Sequence, residues 1–177
     1  VYESMYGNTH LIAQAIGDGL GESAEVAVVP IAEAAATLAD GADLLVVGGP
    51  THVHGMSRPR TRTAAADAAK KPESGLTVEP MAEGPGVREL LESLGNLDMR
   101  AAAFDTRIDA PAALTGRASK KIARKLRQHR CTLVADPESF LVTKDSHLEP
   151  DEAARARRWG ADLAARLASR VPTREGS

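Results

Sequence analysis

Leu44-Leu45-Val46-Val47-Gly48-Gly49-Pro50-Thr51-His52 is the stretch on which the fold turns. Its four aliphatic residues show no polar alternation, so the run reads as a strand covered on both faces, as in a parallel sheet packed between helices. The turn-forming Gly48-Gly49-Pro50 then end the run, and Gly48 to Gly55 reads as a loop.

Upstream, Ser4-Met5-Tyr6-Gly7-Asn8-Thr9 follows a stub of only three residues. Leu11, Ile12, Ala15 and Ile16 recur at helical spacing, and Gly17, Gly19 and Gly21 weaken and end that helix. Residues 26–31 read as a strand and the alanine-rich 33–39 as a weakly amphipathic helix. Downstream, residues 57–71 form an alanine-rich helix, and the Pro- and Gly-dotted 70–86 an irregular loop, either a lid or a tolerated surface insertion. Val87, Leu90, Leu91 and Leu94 make a helical stripe, and Ala101-Ala102-Ala103-Phe104 a fourth strand. Ile122, Ala123 and Leu126 line a helix over roughly residues 115–129. Residues 132–135 and 140–142 make a fifth strand broken at Asp136-Pro137, and Pro150 opens a last helix carrying Ala156, Trp159, Leu163 and Leu167.

Five strands alternating with about five helices predict an α/β, doubly wound three-layer sandwich with a five-stranded parallel sheet. Residues 1–171 are expected to form one domain, with 172–177 as a C-terminal tail. A first strand of three residues is shorter than the usual ~5–6. We therefore expect further residues of that strand before Val1; the alternative is an unusually short strand.

Composition narrows the function. The chain has 177 residues, 43% apolar and 26% charged, with a net charge of −2, which excludes a generic nucleic-acid binder. One cysteine excludes a disulfide scaffold and a cysteine-built zinc or iron–sulfur site. No apolar run approaches the ~18 residues of a membrane span, so a reduced, cytoplasmic setting is the expectation. Alanine occurs 32 times, but the aromatics are only Tyr2, Tyr6, Phe104, Phe140 and Trp159, so the core should be closely packed and aliphatic.

In such a sheet ligands bind beyond the carboxyl ends of the strands, where the strand order reverses. The loop Ser4 to Thr9 runs from strand into helix and offers two hydroxyls, an amide side chain and a glycine. Backbone N–H groups at the positive end of a helix dipole suit a phosphate. The loop is neither a Walker A sequence nor a Gly-x-Gly-x-x-Gly turn, and a simple cap and turn would also account for it.

Taken together, the Ser-Met-Tyr-Gly-Asn-Thr loop, the Gly-Gly-Pro-Thr-His loop and the Pro137-Glu138-Ser139-Phe140 region resemble the flavodoxin family over nearly the whole chain. The resemblance implies strand order 2-1-3-4-5 and a non-covalent flavin mononucleotide (FMN). By similarity, Ser4, Met5, Tyr6, Gly7, Asn8 and Thr9 would hold its phosphate. Pro50, Thr51, His52, Val53, His54 and Gly55 would line one side of the ring, and Asp105, Thr106 and Arg107 would form the third flavin loop. Flavodoxins commonly sandwich the ring between tryptophan and tyrosine, whereas this chain offers His52 and His54 and no aromatic in residues 105–111. A weaker grip and a less negative potential of the fully reduced flavin are therefore expected.

The implied function is electron transfer, with FMN and a redox partner protein. The alternatives are an NAD(P)H-dependent flavin or quinone oxidoreductase, and a degenerate fold that has lost its flavin. No catalytic residue is assigned. His52 and His54 read as flavin-edge or surface residues rather than a metal pair, since no third ligand is visible. Cys131 reads as an inert buried thiol. Arg117, Lys120, Lys121, Arg124, Lys125, Arg127 and Arg130 form a run free of acids. It reads either as a solvated helix face or as a dock for an acidic redox partner or a nicotinamide dinucleotide phosphate.

Overall fold

β1 (Leu44–His52) pairs in parallel with β3 (Arg100–Ile108), in register from Leu44 opposite Arg100 to Pro50 opposite Thr106. The computed structural model describes residues 1–34, 38, 41–52 and 54–169; Val53, most of the expected 33–39 helix and the tail fall outside them. Beyond β3 lie β4 (Thr132–Leu133) and β5 (Glu138–Val142), both parallel to it and interrupted around Asp136-Pro137 as expected. On the other side of β1, Tyr2 bridges in parallel to both Gly48 and Pro30. Counting those bridges as strands one and two, the order is 2-1-3-4-5.

Two expectations shift in detail. The strand over residues 26–31 contracts to the bridge at Pro30, and Val26 and Val28 stand 37% and 36% exposed. It can pair only with the short N-terminal stretch, through Tyr2 N–H to Val29 C=O at 3.1 Å and Ile31 N–H to Tyr2 C=O at 2.9 Å. Conversely, Gly48 to His52 are strand rather than loop, because Gly48 to Pro50 stay paired with β3 and β2 (Gly55–Met56) folds back antiparallel on Thr51 and His52.

Helices α1 (Asn8–Gly21) and α6 (Glu152–Ala168) cover one face of the sheet. Helices α3 (Val87–Ser93) and α5 (Ala118–Gln128) cover the other. The helix α2 (Pro59–Ala69) follows β2, and the single turn α4 (Ala112–Thr115) precedes α5. The alternation along β3 divides the core: Ala101 and Ala103 pack with Leu45, Val47, Ile122 and Leu126, while Ala102 and Phe104 pack with Ile12, Ile16, Phe140 and Leu163. Phe104, Phe140 and Trp159 meet edge to face with centroids 6.1–6.5 Å apart. Gly48 sits in register with Phe104, whose ring fills the space a Cβ would need.

Small residues also set the distance between α1 and α6. A Cβ on Gly19 would run into the Arg157 carbonyl, and one on Gly160 into that of Ile16. Gly19 is therefore a packing residue rather than a helix stop, and α1 continues to Gly21. Gly160→Ala should lower stability by about 1–3 kcal/mol, the usual cost of overpacking. Urea denaturation would read this, and an unchanged midpoint would show slack between the two helices.

Candidate functional site

The loop at residues 4–9 leaves the short central strand and coils into α1. Gly7, its N-cap, has φ +90°, a left-handed conformation that favours glycine. Its N–H donates to Ser4 Oγ at 3.1 Å, while its carbonyl accepts from Leu11 N–H at 2.9 Å. The first-turn amides of Asn8, Thr9 and His10 have no intrahelical acceptor and point out of the positive end of the helix. Met5 is buried, the Tyr6 hydroxyl donates to the Ala65 carbonyl at 2.8 Å, and the Asn8 side-chain amide donates to the Ser146 carbonyl at 2.7 Å. The loop is thus pinned by its side chains to α2 and to the turn after β5, leaving the first-turn amides of α1 free to meet a ligand.

Hydroxyls and one carboxylate tie the other two loops to it. Thr9 Oγ1 and Thr106 Oγ1 are buried and 2.7 Å apart. Asp105 is fully buried, and its Oδ2 accepts from the Thr51 hydroxyl at 3.2 Å and from Ser119 N–H at 2.7 Å. Thr51 Oγ1 in turn accepts from Ala118 N–H at 2.9 Å. The ends of β1 and β3 and the start of α5 therefore meet at one carboxylate. Asp105 Oδ1, Arg107 Nε and Ser119 Oγ are buried there without a hydrogen-bond partner. Arg107 Nη1 caps the Ala110 carbonyl at 2.6 Å and reaches Thr115 Oγ1 at 3.4 Å.

Pro50 and His52 are half-buried, and Gly55 is buried. Burial lowers the pKa of His52; Glu3 opposes the shift and Arg62 adds to it. His54 is exposed, with φ +67°, and bridges to Gly116. The Lys121 side chain lies against Gly55, its Nζ 2.5 Å from where a Cβ would stand. Phe104, Phe140, Trp159 and Tyr2 are committed to the core, so Tyr6 is the one described aromatic at the three loops.

Comparison with known proteins agrees with this geometry. The flavodoxin family's sequence pattern matches residues 1–84, which carry the first two of the three loops. Its fold is flavodoxin-like. Its fold is similar to that of a flavodoxin from the domain Archaea, at 22% identity and TM-score 0.60, over 95% of this chain and 96% of that one. Flavodoxin 1 from Bacillus cereus is similar at 19% identity and TM-score 0.60, over 97% and 96%. A flavodoxin, WrbA-like protein from Agrobacterium tumefaciens follows at 19% and 0.56, over 96% of each chain. No curated protein matches significantly.

Other residues of this flavodoxin-like fold gather at the site without a signal in the sequence. Glu3, 6% exposed, accepts from Val87 N–H through Oε2 at 2.8 Å, and its Oε1 is unpartnered. Arg62, 2% exposed, donates through Nη1 to Ser57 Oγ at 2.8 Å and to Glu89 Oε2 at 3.1 Å. Both side chains close on Gly86, where a Cβ would lie 2.5 Å from Glu3 Oε2 and 2.6 Å from Arg62 Nη1. The segment expected as an irregular loop packs against the first loop instead of standing free. Glu79 N–H donates to the Met5 carbonyl at 2.9 Å, and Glu79 Oε1 meets His10 Nδ1 at 2.9 Å, with His10 stacked on Tyr2. Apart from Arg62 with Ser57 and His10 with Tyr2, these pairings join residues tens of positions apart, so no local pattern announces them. Among the described residues no three His, Cys, Asp or Glu side chains gather as for a metal. No helix of the described residues is long and apolar enough to cross a membrane.

The lowered pKa of His52 has a signed consequence. Unfolded, this imidazole takes up a proton near its ordinary 6.5, before the folded form does. Stability therefore falls as pH drops from about 6.5 towards the lowered folded value, because the unfolded state binds more protons in that window. His52→Gln should flatten the loss of unfolding free energy between about pH 7 and pH 5, read by urea denaturation at each pH. Parallel slopes for the two proteins would show that His52 is not held neutral.

Proposed function

We propose that the chain binds FMN across the three loops and carries electrons. The observation that supports this most is the free first-turn donor set of α1, held beside the ends of β1 and β3 by Thr9–Thr106 and Thr51–Asp105. That donor set suits a phosphate, and the unpartnered Asp105 Oδ1 and Arg107 Nε are polar groups that a polar ring edge would satisfy. FMN supplies one- and two-electron redox chemistry when bound.

The chain's own residues bind and tune. Ser4 and the loop amides through Thr9 take the phosphate, with Gly7 allowing close backbone approach. Thr9, Thr106 and the Oδ2 atom of Asp105 position the loops, since their contacts are with one another, with Thr51 and with α5. Pro50, Thr51, His52, His54 and Gly55 line one side of the ring, and Asp105, Thr106 and Arg107 form the third flavin loop. Lacking a tryptophan–tyrosine sandwich, and with Arg107 and Lys121 close, this site disfavours a reduced, anionic ring less than an aromatic-lined one would. The Glu79 carboxylate, 3.7 Å from the Cβ position of Gly7, opposes the phosphate, and its pairing with His10 offsets part of that cost.

The purified protein should bind FMN, quench its fluorescence and give a second one-electron potential less negative than those of aromatic-lined flavodoxins. Gly7→Val, which forces a β-branched residue to φ +90°, should weaken FMN binding at least about tenfold. Circular dichroism would verify that this variant folds. A protein that stays colourless after FMN is added sinks the proposal. Steady NADPH oxidation with a quinone would replace the carrier by a reductase.

A further inference from the structure

We infer that the exposed face of α5 is a docking surface for a redox protein with an acidic face, its cations flanking the second flavin loop. Seven cations fall within residues 117–130 with no acid among them, in a chain whose net charge is −2. The core takes Ile122, Ala123 and Leu126, while Lys120, Arg124 and Arg127 stand exposed and Lys121 and Lys125 flank them half-buried. Arg117 is spent on Ser139 Oγ at 2.9 Å and the Pro137 carbonyl at 2.7 Å, and Arg130 on Asp98 at 2.8 Å. The other five pair with no carboxylate among the described residues.

A helix face that only needs solvation gains from interleaved acids. Lys120 with Arg124 and Lys121 with Lys125 are like charges four residues apart, a spacing that destabilises a helix. Cations in the first turn also oppose the helix dipole. Lys125 and Arg127 in the last turn suit the dipole, but no carboxylate among the described residues offsets the like-charge crowding of the stripe. The position of the stripe supplies a reason for it. The start of α5 is bonded to Thr51 and Asp105, and Lys121 lies on Gly55. Arg88, from the neighbouring α3, reaches the carbonyls of Met56 and Ser57 at 3.4 and 3.2 Å, and Arg58 stands exposed one residue further on.

The chemistry of the partner follows from the shape. Lys120, Arg124 and Arg127 spread over about 10 Å of helix at 1.5 Å per residue. A nucleotide phosphate is held by donors converging on a hollow, whereas charges strung along a helix match the acidic patch of another protein. Such complementarity raises the encounter rate and orients the partner, and salt weakens it.

That the docked partner exchanges electrons rests on the FMN reading; the docking itself does not. The test titrates the full chain, with whatever flavin it retains, against a small acidic ferredoxin, basic cytochrome c and NADPH at about 20 and about 300 mM NaCl. The ferredoxin is expected to bind at low salt and to weaken at least tenfold at high salt. In the charge-reversed variant K120E/R124E/R127E, shown to be folded by circular dichroism, ferredoxin binding should be lost and cytochrome c binding gained. Equal ferredoxin affinity of variant and parent, or NADPH as the ligand lost in the variant, would overturn the proposal. A colourless protein that still binds ferredoxin would remove the FMN reading and leave the docking surface. A yellow protein that ignores ferredoxin would do the reverse.

Discussion

The short pairing of Tyr2 and Glu3 against β1 is what the rest of the molecule depends on. Glu3 N–H donates to the Gly48 carbonyl at 2.9 Å, and Gly48 N–H donates to the Val1 carbonyl at 3.0 Å. With Pro30 bridging the other side of Tyr2, those few bonds make the N-terminal stretch an inner strand of the sheet rather than its edge. The strand order reverses there, so the loop at residues 4–9 and the end of β1 open towards the same crevice. Glu3 adds a second tie by reaching across to the start of α3.

Scarcity of large side chains is the second constraint, and it links packing to chemistry. Ala101, Ala102 and Ala103 on the central β3 let helices close on both faces, and Gly19 and Gly160 let α1 and α6 approach backbone to backbone. The few aromatics then go where volume is needed: Phe104 over Gly48, with Phe140 and Trp159 beside it, and Arg155 against the Phe140 ring at 4.4 Å. Four of the five aromatics are thereby used up in the core. The loops are left with Tyr6, two histidines, and cations contributed by α5 and β3. In the proposed FMN site, few ring faces and nearby positive charge would act in the same direction, and the first follows from how this chain fills its interior.

Most of the fold was legible because its signals are local. A continuous apolar run, Leu44 to Val47, marks a doubly covered strand, and helical spacing marks α1, α3, α5 and α6 within a few residues. The break in the last strand was announced by Asp136-Pro137. The segment at residues 26–31 misled in extent: its β-branched residues have strand propensity, but its neighbour is too short to pair with all of them. His52 was read as loop because glycines and proline precede it, whereas the hairpin with Gly55 keeps it in a strand.

By itself the sequence determined the α/β alternation, the two glycine-containing loops, the family resemblance and the acid-free run at residues 117–130. Each of these is a pattern among residues close in the chain. Only the tertiary structure decided that Asp105 joins β1, β3 and α5, that Glu3 and Arg62 are buried about Gly86, that Glu79 closes on His10, and that Lys121 lies on Gly55. Those contacts join residues far apart along the chain. Their partners are chosen by burial and geometry once the sheet has formed, and propensity carries no record of them.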